Sequence, residues 1–340
     1  MKRVLVRRGD GTIETGADRV SLAETQKDPR ALLWVDLEGE PADALQAVAR
    51  QFDLHPVTAE DFINRNQRPK VEEFDQYTFL VIHGLQAVRG DEVETDELHV
   101  ALKANCVLTV HGRPLDAVKH IFDRCVADPR IVQHGPDFLL YLLSDAVVDA
   151  YFPVLDSLGD EIDALEDAVI AAPARARMHR IFEVKRVLVQ LRKIVSPQRE
   201  VFNCLSRRDS PYIERNTAVY FRDVHDHLVR AFEIIDSYRD LIGNTLEAYL
   251  AGISNRVGQV MKQLTVIATI FMPLSFLTGF FGMNLTAIPF DRTWLFVLVL
   301  VMMLGVPVVM LLYFARRGWI ADNRRLTTWW RLRAWLRHRR

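Results

Sequence analysis

Residues 264–284 read LTVIATIFMPLSFLTGFFGMN, and residues 294–314 read WLFVLVLVMMLGVPVVMLLYF. Neither Leu264–Phe281 nor Trp294–Phe314 holds a charged residue. Each run approaches or meets the roughly 20 apolar residues that a helix needs to cross a bilayer. The short turn Leu285–Thr293 joins them, which makes two spans in a hairpin. The long stretch before the hairpin must then lie on one side of the membrane. Its start, MKRVLVRRGDGTIE, lacks the apolar centre of a signal peptide, so that side is expected to be the cytoplasm.

Charge supports the same orientation. The formal net charge is −1, but nine arginines follow Phe314 with Asp322 as the one acid among them. The preceding chain is therefore acidic. Arginine beside a span marks the cytoplasmic face. Two spans return the chain to its starting side, so both termini are expected inside and the turn outside, in a multi-pass protein of the cytoplasmic (inner) membrane. Cys106, Cys125 and Cys204 are odd in number and lack metal-type spacing, as suits buried thiols in a reducing compartment.

Residues 1–135 read as an α/β cytoplasmic domain. Strand-like runs cover Lys2–Arg7, Leu32–Leu37, Tyr77–Leu85, Leu98–Lys103 and Asn105–His111, rich in Val, Ile, Phe and Thr. Helical patterns cover Pro41–Phe52, Pro56–Asn64 and Pro114–Cys125. From 136 to 259 a helical stalk is expected. One helix spans Asp137–Ala172, stopped by Pro173, and a second Ala174–Leu205. A third starts near Asn216 and meets no proline until Pro273. At 1.5 Å per residue it is about 100 Å long, and only its last third is apolar enough for lipid. The fold class is thus α+β, with a stalk helix that continues into the first of two spans. The transmembrane hairpin is 260–315, with an outer turn over 282–293, and 316–340 is a basic Trp/Arg tail.

Stepping along the first span from Met261 gives the stripe Met261, Leu264, Ala268, Met272, Ser275, Gly279, Gly282, which is narrow and uncharged. Such a stripe is either a small-residue seam between helices or a pore lining with hydrophobic rings that gate by dewetting. Physics alone leaves both open.

Asn255, Met261, Leu264-Thr265, Ala268-Thr269, Phe271-Met272-Pro273-Leu274, Gly279 and Gly282-Met283-Asn284 closely resemble the first transmembrane helix of CorA-type magnesium transporters. Gln67-Arg68-Pro69-Lys70-Val71-Glu72, Asn105-Cys106-Val107-Leu108, Asp160-Glu161-Ile162-Asp163 and Tyr220-Phe221-Arg222-Asp223-Val224 extend the resemblance over about residues 30–317. It implies a homopentameric funnel whose first spans line a pore. Gly282, Met283 and Asn284 would form the selectivity filter at the outer mouth. Mg²⁺ sheds water reluctantly, so a ring of neutral amide carbonyls would hold the hydrated ion loosely enough to release it. Met261, Leu264, Ala268, Met272, Ser275 and Gly279 would line and gate the pore. Gly258 stands where some relatives carry a pore asparagine, with Asn255 one turn earlier, and Glu247 would form a ring of carboxylates in the funnel.

The resemblance also implies closure by intracellular Mg²⁺ bound between cytoplasmic domains, so that Mg²⁺ is both cargo and regulator. Asp223 matches a ligand position, with Asp226 one turn on; the alternative for Asp223 is an ordinary solvated helix acid. The partner acid does not align: Val88 takes its place, and Asp91, Glu92 and Glu94 lie nearby. His225 and His227 are two apart on a helix and point in different directions, which reads as surface histidines rather than a zinc pair.

Two features depart from the family. The outer turn, with Ile288-Pro289, Asp291 and Arg292, is not acidic and is similar to the zinc-transporting ZntB branch. The tail adds Trp319, Trp329, Trp330 and Trp335 among Arg316, Arg317, Arg324 and Arg325 and the later arginines. Tryptophan with arginine suits the headgroup layer, so this tail is expected to bind anionic lipid, the alternative being a disordered basic segment. No nucleic acid is expected as a partner. No phosphate-binding loop and no nucleophile–base constellation occurs, so neither an enzyme nor an organic cofactor is expected. The reading is a passive divalent-cation channel for Mg²⁺, with Co²⁺ and Ni²⁺ as accompanying ions. The rivals are a ZntB-like zinc transporter, proton-coupled or not, and a non-conducting membrane-anchored sensor.

Overall fold

The computed structural model describes residues 1–16, 22–171, 175–207, 210–283 and 292–319. By internal contacts it divides into Met1–Tyr249 and Leu250–Arg340.

The first unit is built on one sheet. Its strands are β1 (Lys2–Arg7), β2 (Ile13–Thr15), β3 (Leu32–Glu38), β4 (Lys70–Phe74), β5 (Tyr77–Arg89), β6 (Glu92–Lys103) and β7 (Cys106–His111). Their order is β2-β1-β3-β7-β6-β5-β4. Every pair is antiparallel except β3 with β7, where Leu33 faces Cys106 and Glu38 faces His111. The helices of this unit are α1 (Leu22–Lys27), α2 (Ala42–Gln51), α3 (Pro56–Asn64), α4 (Asp116–Ala127), α5 (Pro136–Asp149), α6 (Tyr151–Ala171) and α7 (Arg175–Arg207). The long helix α8 (Arg215–Phe281) starts here, and α9 (Thr293–Arg316) lies in the second unit.

Side chains alternate across a strand, and here both faces are covered. One face sends Val4, Val6, Val35, Phe79, Val81 and Val110 against Leu45 of α2 and Phe62 of α3. The other sends Leu5, Trp34, Leu80, Ile82 and Val100 into a core that continues through Leu143, Tyr151, Leu188 and Phe221. Burial on both sides explains why β3 and β7 read as nearly unbroken apolar runs. The change in sequence character at Pro136 is thus the start of α5 and not an edge of packing: α5 and α7 both lie on the sheet.

Side chains of α6 and α7 are stitched to the β5–β6 ribbon. Gln198 Oε1 accepts the His83 N–H, Tyr151 Oη donates to the His83 carbonyl, and Gln190 Oε1 accepts the Val93 N–H. A charged cluster lies in the sheet itself. Arg3 Nη2 is 2.6 Å from Asp36 Oδ2, His111 Nε2 is 3.2 Å from Asp36 Oδ1, and Thr109 donates to Asp36. Burial pushes the Asp36 carboxyl up, but the bonds from His111 and Thr109 outweigh it and hold the group below its ordinary value. Burial likewise pushes His111 down, and the bond to Asp36 outweighs it and raises the imidazole.

The expected single helix over Asp137–Ala172 is two, α5 and α6, divided at Ala150. The apolar spacing runs through that joint and so hides it. The pair is apolar enough to span a membrane, yet its buried residues, from Leu139 to Val169, belong to the protein core. The apolar residues of α9 and of the C-terminal part of α8 are instead mostly exposed: Phe271, Phe276, Phe296 and Leu304 are among them. That is the surface of helices whose solvent is lipid.

Candidate functional site

In the first unit, Asp145 and Asp149 sit one turn apart on α5 and face His227 of α8. His227 Nδ1 is 3.5 Å from Asp149 Oδ1 and 3.8 Å from Asp145 Oδ1. One ligand atom from each residue lies within 4.8 Å of the others. Asp145 Oδ1 and His227 Nδ1 are buried atoms without a hydrogen bond. The His227 ring stands edge-on to Phe152, 6.0 Å between centroids. Burial, then the neighbouring Asp149, raises the Asp145 carboxyl above its ordinary value, with His227 pulling against them and Asp223 adding to the rise. Burial with the fields of Asp145 and Asp223 pushes the Tyr141 hydroxyl up to about 12. Two carboxylates and an imidazole on an acidic surface are suited to a divalent cation. Asp145 and Asp149 also border a groove shared with Asp116, His120 and Arg124, which leaves the cluster open to solvent.

Asp223 and Asp226 are exposed, and Asp226 accepts a 3.3 Å contact from His225 Nδ1. The two histidines do point apart, as their spacing requires, but His227 is drawn into the carboxylate pair rather than left on the surface. Asp91 and Glu92 lie at the β5–β6 turn, where Arg186 of α7 bonds Asp91 and Gln190 donates to its carbonyl. Among the described residues of one chain, no contact joins either of them to Asp223. Asp145 and Asp149 are absent from the sequence reading. The available signal was two pairs at spacing four, Asp145/Asp149 and Asp223/His227.

In the second unit, Met261, Leu264 and Met272 are 56 %, 58 % and 73 % exposed, and Asn255, Gly258, Ala268, Ser275 and Gly279 are exposed as well. Most of the surface of the stripe is left exposed by the chain's own packing. Leu264, Ala268 and Met272 border a groove closed on one side by Met310 of α9. Hydroxyls on α8 satisfy themselves on their own helix: Thr265 Oγ1 donates to the Met261 carbonyl at 2.8 Å and Thr269 Oγ1 to the Thr265 carbonyl at 2.7 Å. A helix in lipid has no water to do this. Helix α8 contains Pro273 and ends at Phe281. The next N–H groups turn back, Gly282 to the Thr278 carbonyl at 2.9 Å and Met283 to the Phe280 carbonyl at 3.3 Å. A Cβ on Gly282 would meet that Thr278 oxygen at 2.9 Å, so the close approach calls for glycine. Asn284 lies outside the described residues, as do Arg324 and Arg325. Glu247, in the first unit, is exposed on α8.

The family model described as CorA-like Mg²⁺ transporter protein matches residues 30–317. The cobalt/magnesium transport protein CorA of Thermotoga maritima is 38 % identical over 298 residues, 86 % of this chain and 85 % of that protein. The putative metal ion transporter YfjQ of Bacillus subtilis is 31 % identical, covering 88 % of this chain and 93 % of its own. Among solved structures, the complete CorA magnesium transporter of Methanocaldococcus jannaschii superposes with a TM-score of 0.82 at 23 % identity, over 93 % of this chain and 98 % of that one.

Proposed function

This chain belongs to the CorA-like Mg²⁺ transporter family, a family of membrane transporters for divalent cations, and we propose that it conducts Mg²⁺ passively into the cell and is shut by cytoplasmic divalent cations. The observation that carries the reading is the exposed, uncharged stripe of α8, which leads directly to Gly282-Met283-Asn284. In a lone chain most of that stripe's surface stays uncovered. Five copies arranged around it would enclose a passage ringed by Met261, Leu264 and Met272, with Ser275 and Gly279 above them. The amide oxygens of Asn284 would grip the still-hydrated ion at the outer end. Both termini lie inside in this reading, and Glu247 attracts cations on the cytoplasmic side.

The membrane potential drives entry, about 2.3 kcal/mol per elementary charge per 100 mV and twice that for a divalent ion. Co²⁺, named for the Thermotoga relative, passes by the same route. Closure follows when the cation fills the cluster of Asp145, Asp149 and His227 beside Asp223, where it offsets the repulsion of an acidic surface.

A second reading, zinc transport, is favoured by one observation. The cluster offers an imidazole nitrogen with its carboxylates, a donor set that suits transition metals better than Mg²⁺.

Ion flux into liposomes separates these readings. Purified protein is reconstituted and Mg²⁺ and Zn²⁺ uptake compared, with and without a pH gradient, for the wild type and Asn284→Ala. Mg²⁺ uptake driven by voltage alone and lost in Asn284→Ala supports the proposal. Zn²⁺ uptake that needs the pH gradient favours the second reading. Uptake indifferent to Asn284 overturns the filter.

A further inference from the structure

Lys262 is the last charge before the apolar run of α8, and Arg316-Arg317 are the first after the run of α9. At this end of the hairpin the two helices are joined by a built corner. Gly318 takes a left-handed turn, φ 68°, which brings its N–H to the Ala315 carbonyl (3.1 Å) and the Trp319 N–H to the Phe314 carbonyl (2.9 Å). The Trp319 ring thereby folds back onto Phe314, 5.5 Å between centroids and 25° between planes. Lys262 crosses from α8 to donate to the Gly318 carbonyl at 3.1 Å, with its ammonium 5.4 Å from the centre of the Trp319 ring. The Arg317 guanidinium lies 5.4 Å from the centre of the Tyr313 ring.

These cations are held by aromatic rings and the Gly318 carbonyl, and no acid among the described residues answers them. Among the described residues from Leu250 onward there is no aspartate or glutamate. An ammonium has three donors, and Lys262 spends one on Gly318. Positive charge without a counter-charge, fixed beside tryptophan at the edge of a span, matches a phosphodiester at the headgroup level.

We propose that this corner binds an anionic phospholipid, its phosphate between Lys262 and Arg317 and its glycerol region against Trp319. The site tethers the inner ends of α8 and α9 to one leaflet, and it is distinct from the tail beyond residue 319. It rests on α8 and α9 crossing the membrane, and not on which ion the protein carries.

The test uses the full-length protein, extracted from vesicles of equal parts phosphatidylglycerol and phosphatidylcholine, with the retained lipid counted by native mass spectrometry. Variants are Lys262→Gln, Lys262→Arg, Arg317→Gln and a chain ending at Trp319. Alkaline carbonate extraction of the same membranes first establishes that each variant is inserted; failure there overturns the membrane reading itself. The wild type is expected to retain phosphatidylglycerol over phosphatidylcholine. Lys262→Gln and Arg317→Gln should each lower that preference about fivefold, Lys262→Arg should keep it, and so should the shortened chain. A preference untouched by the glutamine variants but lost with the tail, or no preference in the wild type, overturns the proposal.

Discussion

His227 Nδ1 and Asp149 Oδ1 lie 3.5 Å apart, one on α8 and one on α5, with no hydrogen bond made by that nitrogen. The contact ties the helix that forms the first span to a helix that packs on the sheet. An ion bound there would be held from both helices at once.

Removing one of its carboxylates should therefore weaken closure and spare conduction. In liposomes loaded with increasing internal Mg²⁺, Asp149→Asn is expected to need at least about tenfold more internal ion to stop flux, since losing even a group that only supports a ligand costs that much. Acidification should act in the same direction. The raised Asp145 carboxyl takes up a proton more readily than an ordinary aspartate, and that proton competes with the metal. Unchanged inhibition in Asp149→Asn at all internal concentrations would remove the cluster from the proposed control of ion flux.

The approach to the proposed filter depends on backbone contact at Gly282. An alanine there puts a methyl 2.9 Å from the Thr278 carbonyl, and the helix end must shift at a cost of order 1–3 kcal/mol. Gly282→Ala is expected to fold and insert like the wild type by circular dichroism and extraction, with Mg²⁺ flux strongly reduced. Full flux would mean that the turn tolerates the methyl.

The pair Asp36–His111 sets a pH window for the first unit. The lowered Asp36 contributes stability that is present above the ordinary carboxylate pKa of 3.8 and is lost as pH falls through the folded value. The raised His111 contributes stability that is full below the ordinary 6.5 and is lost as pH rises through the folded value. The joint contribution is greatest between those ordinary values. Thermal unfolding of wild type and His111→Gln across pH should show the largest difference there, shrinking toward both extremes. Asp36→Ala, which leaves Arg3 only Glu38 at 3.6 Å and takes the carboxylate from His111 Nε2, should cost about 3–5 kcal/mol.

Packing of α6 on α8 can be tested at Gly159, where an added Cβ would collide with the Tyr238 hydroxyl. Gly159→Ala is expected to destabilise by about 1–3 kcal/mol, and Tyr238→Phe in the same chain should recover part of that loss. Denaturant midpoints of the single and double variants decide it.

Much of this fold could be read from the sequence where a local pattern was strong. Strand β1 runs Lys2–Arg7 and helix α3 Pro56–Asn64, both as expected, because the short valine-rich run around Val4-Leu5-Val6 marks the first and Pro56 fixes the start of the second. Strand β4 was missed because KVEEF at the sheet edge has little apolar pattern, and α1 because six residues show no period. The stripe of α8 was legible from its small and uncharged residues, and its exposure is what the structure adds. The Asp145–Asp149–His227 cluster was not legible. Each residue alone looks like a solvated helix side chain, and the crossing that brings them together is a tertiary fact.

The stitching of α6 and α7 to the β5–β6 ribbon has a consequence for dynamics. The His83 and Val93 amides end on glutamine side chains of α7 instead of on a neighbouring strand. Their solvent-exchange rates are governed by how often α7 lifts away. These two protons are thus built-in gauges of helix motion, embedded in a sheet that need not move at all.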